Sequence, residues 1–370
     1  MSELYHQHLT KPRKKYTLLG PQIRGPFSLG REKMLATILI GYILYIALVL
    51  ISMVVCSRIN FRRFRDLGRF QYLKKGKPGG RQILCLAGYG MPTETWNWLG
   101  DYGPFKHSPD EIIVLKRRLY EEEQPLWVRL LLPPSWLSLW WQRRETENLV
   151  RHALKTGLLR PGFLLVGHSI GKTIAGHLAE CFPKEAGKSV MMAGATDKFA
   201  PLLTRGTFWA GVIYSLPLAV LMTILPWWGF KPVYPTARAL FSGRRTLEET
   251  VQNLMRKLVP ESPLAFYALV FWYRGHEFFR ARQKGYDKTV VHIVCPHDPI
   301  FRSSEIGSRA HRYDPVQVYQ FAQSTPHCPW FESSAHAWGH NSEVLARAFG
   351  TNGHDQVGPE HAHLTRLTRQ

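Results

Sequence analysis

The sequence predicts an α/β protein: a mostly parallel sheet with helices on both faces, a long helical insertion, and one transmembrane helix ahead of it. Three observations predict it. Short, fully apolar runs alternate with helix-length segments between 82 and 348, the pattern of parallel strands buried on both faces. One of these runs ends in a Gly-x-Ser-x-Gly turn at Gly167–Gly171. Residues 34–56 form 23 consecutive uncharged positions, where a spanning helix needs about 20.

The elements follow in order. Residues 1–33 are a basic N-terminal tail, with seven Lys/Arg against Glu3 and Glu32, a net of +5. Residues 34–56 (MLATILIGYILYIALVLISMVVC) are apolar all round, which argues against a core helix with one wet face. The run lies too far from the N-terminus and is too long for a cleaved signal peptide, so it reads as an uncleaved anchor. Residues 57–78 read as a basic linker, with net +7 over 57–77. Thus +12 of the chain's +21 flanks one apolar helix, as expected of a helix that addresses anionic lipid. Both flanks are basic, and the small C-terminal excess hints that the main domain faces the cytoplasm. A nucleic-acid role would place the charge on a folded face interleaved with aromatics, and here most of it lies elsewhere. With 12% aromatics the 370-residue chain is not intrinsically disordered. Its five scattered cysteines make no disulfide framework and no CxxC metal site.

Strands are predicted at Gln82–Ala87, Glu111–Leu115, Gly162–Val166, Ser189–Met192, Val290–Val294 and Pro329–Glu332, with helices over Glu145–Leu154 and Gly167–Glu180. The core is expected over 79–199 and 289–348, with a hydrophobic helical lid over 200–288. Inside the lid, Thr246-Leu-Glu-Glu249 is a capping box. The polar tail 349–370 is expected to be disordered.

The chemistry concentrates at Gly167-His168-Ser169-Ile170-Gly171. An apolar strand precedes this turn and a small-residue helix follows it. That is the setting in which a serine sits on a strained strand-to-helix turn and glycines two residues away make room. Gly171-Lys172-Thr173 overlaps a phosphate-loop ending, but Val166 stands where that loop needs its first glycine.

This pattern resembles the α/β-hydrolase superfamily over about 79–348, apart from the lid. The resemblance implies a triad in the order Ser, Asp, His. Cys295-Pro-His-Asp298-Pro-Ile-Phe301 is similar to the family's acid loop and Glu332-Ser-Ser-Ala-His336 to its histidine loop. Ser169 is then the nucleophile, His336 the base and Asp298 the acid, with His340 and Asp197 as second candidates for base and acid. The oxyanion hole would use the backbone N–H groups of Ile170 and of Tyr89. The loop here reads Ala87-Gly88-Tyr89-Gly90, without the histidine that often stands in this motif. His327, Cys328, His336 and His340 were weighed as metal ligands and set aside for want of an acidic partner. Neither metal nor cofactor is expected.

Residues 206–230 are a second uncharged stretch. A single crossing there would put Ser169 on one side of the membrane and Asp298 with His336 on the other. Pro217 and the Pro226-Trp227-Trp228 end fit instead a lid that dips into lipid or packs on the core. The apolar patch Leu130–Trp141 adds to this surface. Within the superfamily, Leu165-Val-Gly-His-Ser-Ile-Gly171, the aromatic lid after Pro201-Leu-Leu203 and Ala335-His-Ala-Trp338 resemble the lipid-droplet-associated serine hydrolases. That resemblance implies a lipase- or esterase-like enzyme acting on a lipid ester. A true bilayer span does not suit a droplet monolayer, so the expected residence is a membrane such as the endoplasmic reticulum. The same residues would also serve an acyltransferase, and the fold without its chemistry a membrane scaffold.

Overall fold

The computed structural model describes residues 27–59, 70–77, 79–97, 99, 105, 108–116, 139–193, 276–298, 316–325, 327–329 and 335–350, with single positions between 221 and 265. The chain divides into two units, Met1–Leu50 and Ile51–Gln370. Helix α1 spans Phe27–Ile59, longer at both ends than the predicted 34–56, and runs across the boundary between the units. Its stretch Lys33–Ile51 is long and apolar enough to cross a membrane by length and composition. At 1.5 Å per residue those 19 residues reach about 29 Å, the thickness of a hydrocarbon core. Ile38, Leu44 and Ile51 are each more than half exposed.

The second unit is built on a seven-stranded sheet of order β1-β3-β2-β4-β5-β6-β7. Its strands are β1 (Phe70–Lys74), β2 (Gln82–Leu86), β3 (Glu111–Leu115), β4 (Phe163–His168), β5 (Ala186–Met192), β6 (Val290–Val294) and β7 (Val316–Gln320). β1 pairs antiparallel with β3, and every other neighbour is parallel. Helices α2 (Leu139–Thr156), α3 (Gly171–Cys181), α4 (Glu277–Gln283) and α5 (Ala335–Phe349) cover it.

Period-two alternation divides each strand between two cores. Ile83, Cys85, Ile112, Val114, Leu164 and Val166 pack with Trp96, Phe105, Leu345 and Phe349. Leu84, Leu86, Ile113, Leu165 and Met191 face the other way, onto Val150 of α2, Ile174 and Leu178 of α3, and Phe278 of α4. Both faces are dry, which is why β2 and β4 read as unbroken apolar runs.

Three expectations change here. Residues 70–74, expected in the linker, form edge strand β1. The last strand among the described residues is β7; of the strand expected at 329–332 only Pro329 is described, in a 3₁₀ turn, and 330–332 lie outside the described residues. The core resumes before 289, because α4 packs on α3: a Cβ on Gly176 would stand 2.6 Å from Glu277 Cβ. Most of the predicted lid, with 206–220 and 222–230 and the capping box at 246–249, lies outside the described residues, as do the tail from 351 on and most of the apolar patch at 130–141.

The order of the sheet places the site. The chain runs from β2 outward to β3 and then returns to the other side of β2 as β4. The crevice beyond the carboxyl ends of β2 and β4 is therefore the topological switch point, where ligands bind in open α/β sheets.

A buried pair locks β5 to the segment after α4. The Tyr286 hydroxyl donates to the Gly187 carbonyl at 2.8 Å and meets the Ser189 hydroxyl at 2.6 Å. Burial pushes the phenol up to about 12, so it remains a donor at any working pH. Replacing Tyr286 with Phe leaves a buried hydroxyl and a carbonyl short of a partner. We expect the chain to lose about 1–3 kcal/mol, read as a lower urea midpoint at unchanged slope.

Candidate active site

Ser169 stands just past β4, the middle strand, with φ +52°. A left-handed serine is strained, and such strain persists only where the surroundings enforce it. They do so here. A Cβ on Gly167 would lie 2.7 Å from the backbone of Gly171 and Lys172. One on Gly171 would lie 2.1 Å from the Leu86 carbonyl oxygen. The turn is pressed against the end of β2, and only glycine fits at either position. Lys172 N–H donates to the Ser169 carbonyl at 3.1 Å, and Thr173 N–H to that of Ile170 at 2.9 Å, opening α3 directly behind the serine.

The loop after β2 crosses this turn. A Cβ on Gly88 would stand 2.5 Å from His168 Nδ1 and 3.2 Å from Ser169 Cβ. Ala87, Gly88, Tyr89 and Gly90 are buried, and Gly90 adopts φ +66°. The two segments expected to supply oxyanion donors, at Tyr89 and Ile170, thus flank the serine.

Asp298 follows β6 in a turn closed by its own N–H on the Cys295 carbonyl at 3.0 Å. Its carboxylate Oδ2 accepts from Nδ1 of His327 at 2.8 Å, and both side chains are fully buried. The sequence placed His336 in this role. His336 lies in the first turn of α5, and its side chain is outside the described ones. The second candidate base, His340, is exposed on α5 and meets the Gln320 carbonyl at 3.2 Å. Asp197 is outside the described residues.

His327 is tied to the nucleophile turn through His168. His168 Nε2 donates to the His327 carbonyl at 2.9 Å, and the two rings lie 4.9 Å apart. Burial, then the neighbouring His327, holds His168 well below the usual imidazole range, so it acts as a neutral donor. The loop carrying His327 is fixed from two more sides. His297 N–H donates to the Thr325 carbonyl at 3.1 Å. Asn341 of α5 accepts from Ala322 N–H at 2.8 Å and donates to Thr325 Oγ1 at 3.0 Å. None of these supports was read in the sequence.

Other reactive groups among the described residues have structural explanations. Burial raises the thiols of Cys85, Cys295 and Cys328, which removes them as rival nucleophiles. Lys172 is 2% exposed and so cannot reach out to a phosphate from solvent. Glu147, His177 and Cys181 bring three potential metal-ligand atoms within 4.8 Å of one another between α2 and α3. Arg151 and Arg144 already hold that carboxylate, at 2.8 and 3.2 Å, and burial followed by Glu147 pushes the Cys181 thiol up to about 11. This is an ion-pair network with a neutral thiol beside it.

Placing alanine at Gly171 tests the turn. The added methyl cannot avoid Leu86 without moving β4 from β2. We expect Gly171→Ala to destabilise the chain by about 2–4 kcal/mol, visible as a lowered thermal midpoint.

No protein-family profile matches this sequence, and no curated protein sequence matches it. Solved structures do. A hydrolase from Oleispira antarctica superposes with a TM-score of 0.54 at 14% identity, over 82% of this chain and 98% of that one. The esterase RhEst1 from a Rhodococcus species gives 0.53 at 14%, over 76% and 94%. A bromoperoxidase from Bacillus anthracis gives the same values. With its mostly parallel sheet, its strand-to-helix serine turn and these superpositions, the chain has the α/β-hydrolase fold.

Proposed function

We propose that this chain is a membrane-anchored serine hydrolase that cleaves a lipid ester or thioester through an acyl-enzyme. The observation that carries the reading is a left-handed serine whose neighbour His168 bonds the main chain of His327, itself paired with the buried Asp298. The named esterases and hydrolases among the similar structures support hydrolysis of an ester.

In this mechanism Ser169 Oγ attacks the carbonyl carbon while Nε2 of His327 takes its proton. Asp298 holds Nδ1–H, fixes the tautomer and stabilises the imidazolium. The oxyanion is met by the N–H groups of Ile170 and Tyr89. Collapse breaks the ester bond, and the alcohol or thiol leaves with the proton from His327. Water then enters, gives its proton to the same nitrogen and releases the acid, and Ser169 recovers its hydrogen. His168 keeps the His327 loop in place throughout.

The anchor reading rests on α1 and its basic flanks, which suit an anionic bilayer surface such as that of the endoplasmic reticulum. The uncharged stretch 206–230 supports an apolar acyl group as the substrate's recognised part.

The test is labelling with a fluorophosphonate. Ser169→Ala is expected to abolish it. His327→Gln should slow it at least 100-fold, whereas His336→Ala should leave it within about threefold. Persistent labelling of Ser169→Ala would refute the hydrolase, and the reverse order of the two histidine variants would return the base to His336. For the anchor, deleting 34–56 should move the chain from the carbonate-resistant membrane pellet to the supernatant.

A further inference from the structure

We infer that Glu261 is a positioning residue for the oxyanion hole, acting as the acceptor that holds the Gly88–Gly90 loop over Ser169. This deepens the hydrolase reading and rests on it.

The segment 259–262 belongs to the insertion between β5 and β6, yet it grips the loop after β2 at three points. Gly90 N–H donates to Glu261 Oε2 at 3.2 Å. Val259 N–H donates back to the Gly90 carbonyl at 2.9 Å. The Tyr89 hydroxyl donates to the Ser262 carbonyl at 3.0 Å. Both main-chain groups of Gly90 and the side chain of Tyr89 are therefore anchored to one short stretch. Gly90 can present both groups to it because its backbone is left-handed.

Glu261 is the element of this grip that chain geometry alone does not require. It is 0% exposed, and a carboxylate so placed is costly unless donors surround it. Its second oxygen takes a long contact from Gln142 Nε2 of α2 at 3.5 Å. One buried side chain thus joins α2 to the loop that crosses the nucleophile.

The consequence is geometric. The loop has no slack toward the serine, since a single methyl at Gly88 would already touch Ser169 Cβ. Its position along that contact sets how far the Tyr89 N–H lies from a developing oxyanion. Losing one such donor costs about 100–1,000-fold in kcat, and a shift of about 1 Å can cost about 100-fold. What Gly90 needs is an acceptor oxygen, not a charge. Glutamine at 261 supplies it, with the Gln142 amide turned to accept from the new NH₂; leucine does not.

The experiment uses the full chain in detergent micelles. Folded sites are counted by end-point fluorophosphonate titration of Ser169, and hydrolysis of p-nitrophenyl butyrate is measured per titrated site. Glu261→Leu is expected to lower kcat per site about 10–100-fold with KM within about twofold, because the oxyanion exists only in the transition state. Glu261→Gln should stay within about threefold of the parent. A purely structural glutamate would reduce the number of titrated sites and leave kcat per site unchanged. That result overturns the inference, as does an equal loss in both variants. Should Glu261→Leu yield no titratable sites, Glu261→Asp decides: its acceptor is withdrawn by one methylene, so kcat per site must fall at least fivefold, and an unchanged value overturns the inference. If the unsubstituted chain itself takes no probe at Ser169, the hydrolase reading has failed, which is distinct from any change confined to Glu261 variants.

Discussion

The closeness of the β4–α3 turn to the end of β2 is the constraint on which the rest depends. Side chains are excluded at Gly167 and Gly171 by backbone atoms 2.7 and 2.1 Å from where a Cβ would stand. Pressed into that gap, Ser169 takes a left-handed backbone that costs of order 1–3 kcal/mol. The strain is held by what lies on either side. Leu86 and Leu165 are buried in the core beneath α3, and Ser169 N–H is fixed to the Met192 carbonyl of β5 at 3.1 Å. A hydroxyl raised above the sheet in this way, at the amino end of a helix, sits in the favourable field for a developing negative charge.

The same turn organises the histidine. Position 168 of the Gly-x-Ser-x-Gly is formally free, but here its imidazole bonds the main chain of His327. Asp298 and His327 arrive on different loops, after β6 and β7, and adjacent parallel strands bring those loops side by side. Asn341 and the His297–Thr325 bond then remove the remaining freedom. Buried polar groups tied together at this many points favour a single arrangement over several.

Much of this was legible, and the unread parts share a cause. β2, β3, β4, β5 and β6 are covered on both faces and so appear as continuous apolar runs. β1 and β7 are the two edges of the sheet. Phe70-Gln-Tyr-Leu-Lys74 and Val316-Gln-Val-Tyr-Gln320 alternate with polar residues, as edges exposed to water do, and they read as linker and loop. With the last strand set at 329–332, the next histidine is His336; with β7 ending at Gln320, the loop that follows carries His327, and 336 falls within α5. Asp298 follows β6, an interior strand that the apolar run at 290–294 marks plainly. Glu261 was unreadable for another reason: its partner Gly90 lies 171 residues away, and nothing local marks an acceptor for so distant an amide.

Charge and chemistry are separated along this chain. Of the +21, +12 brackets the apolar helix. Near the serine, the buried ionisable groups are neutral or partnered: His168 is held uncharged by burial, Asp298 is bonded to His327, and Glu261 accepts N–H donors. Among the described residues, the site offers little free charge with which to attract an ionic head group over long distances. If a lipid is the substrate, its concentration near Ser169 must come from where the chain is anchored, and its selection from apolar contact.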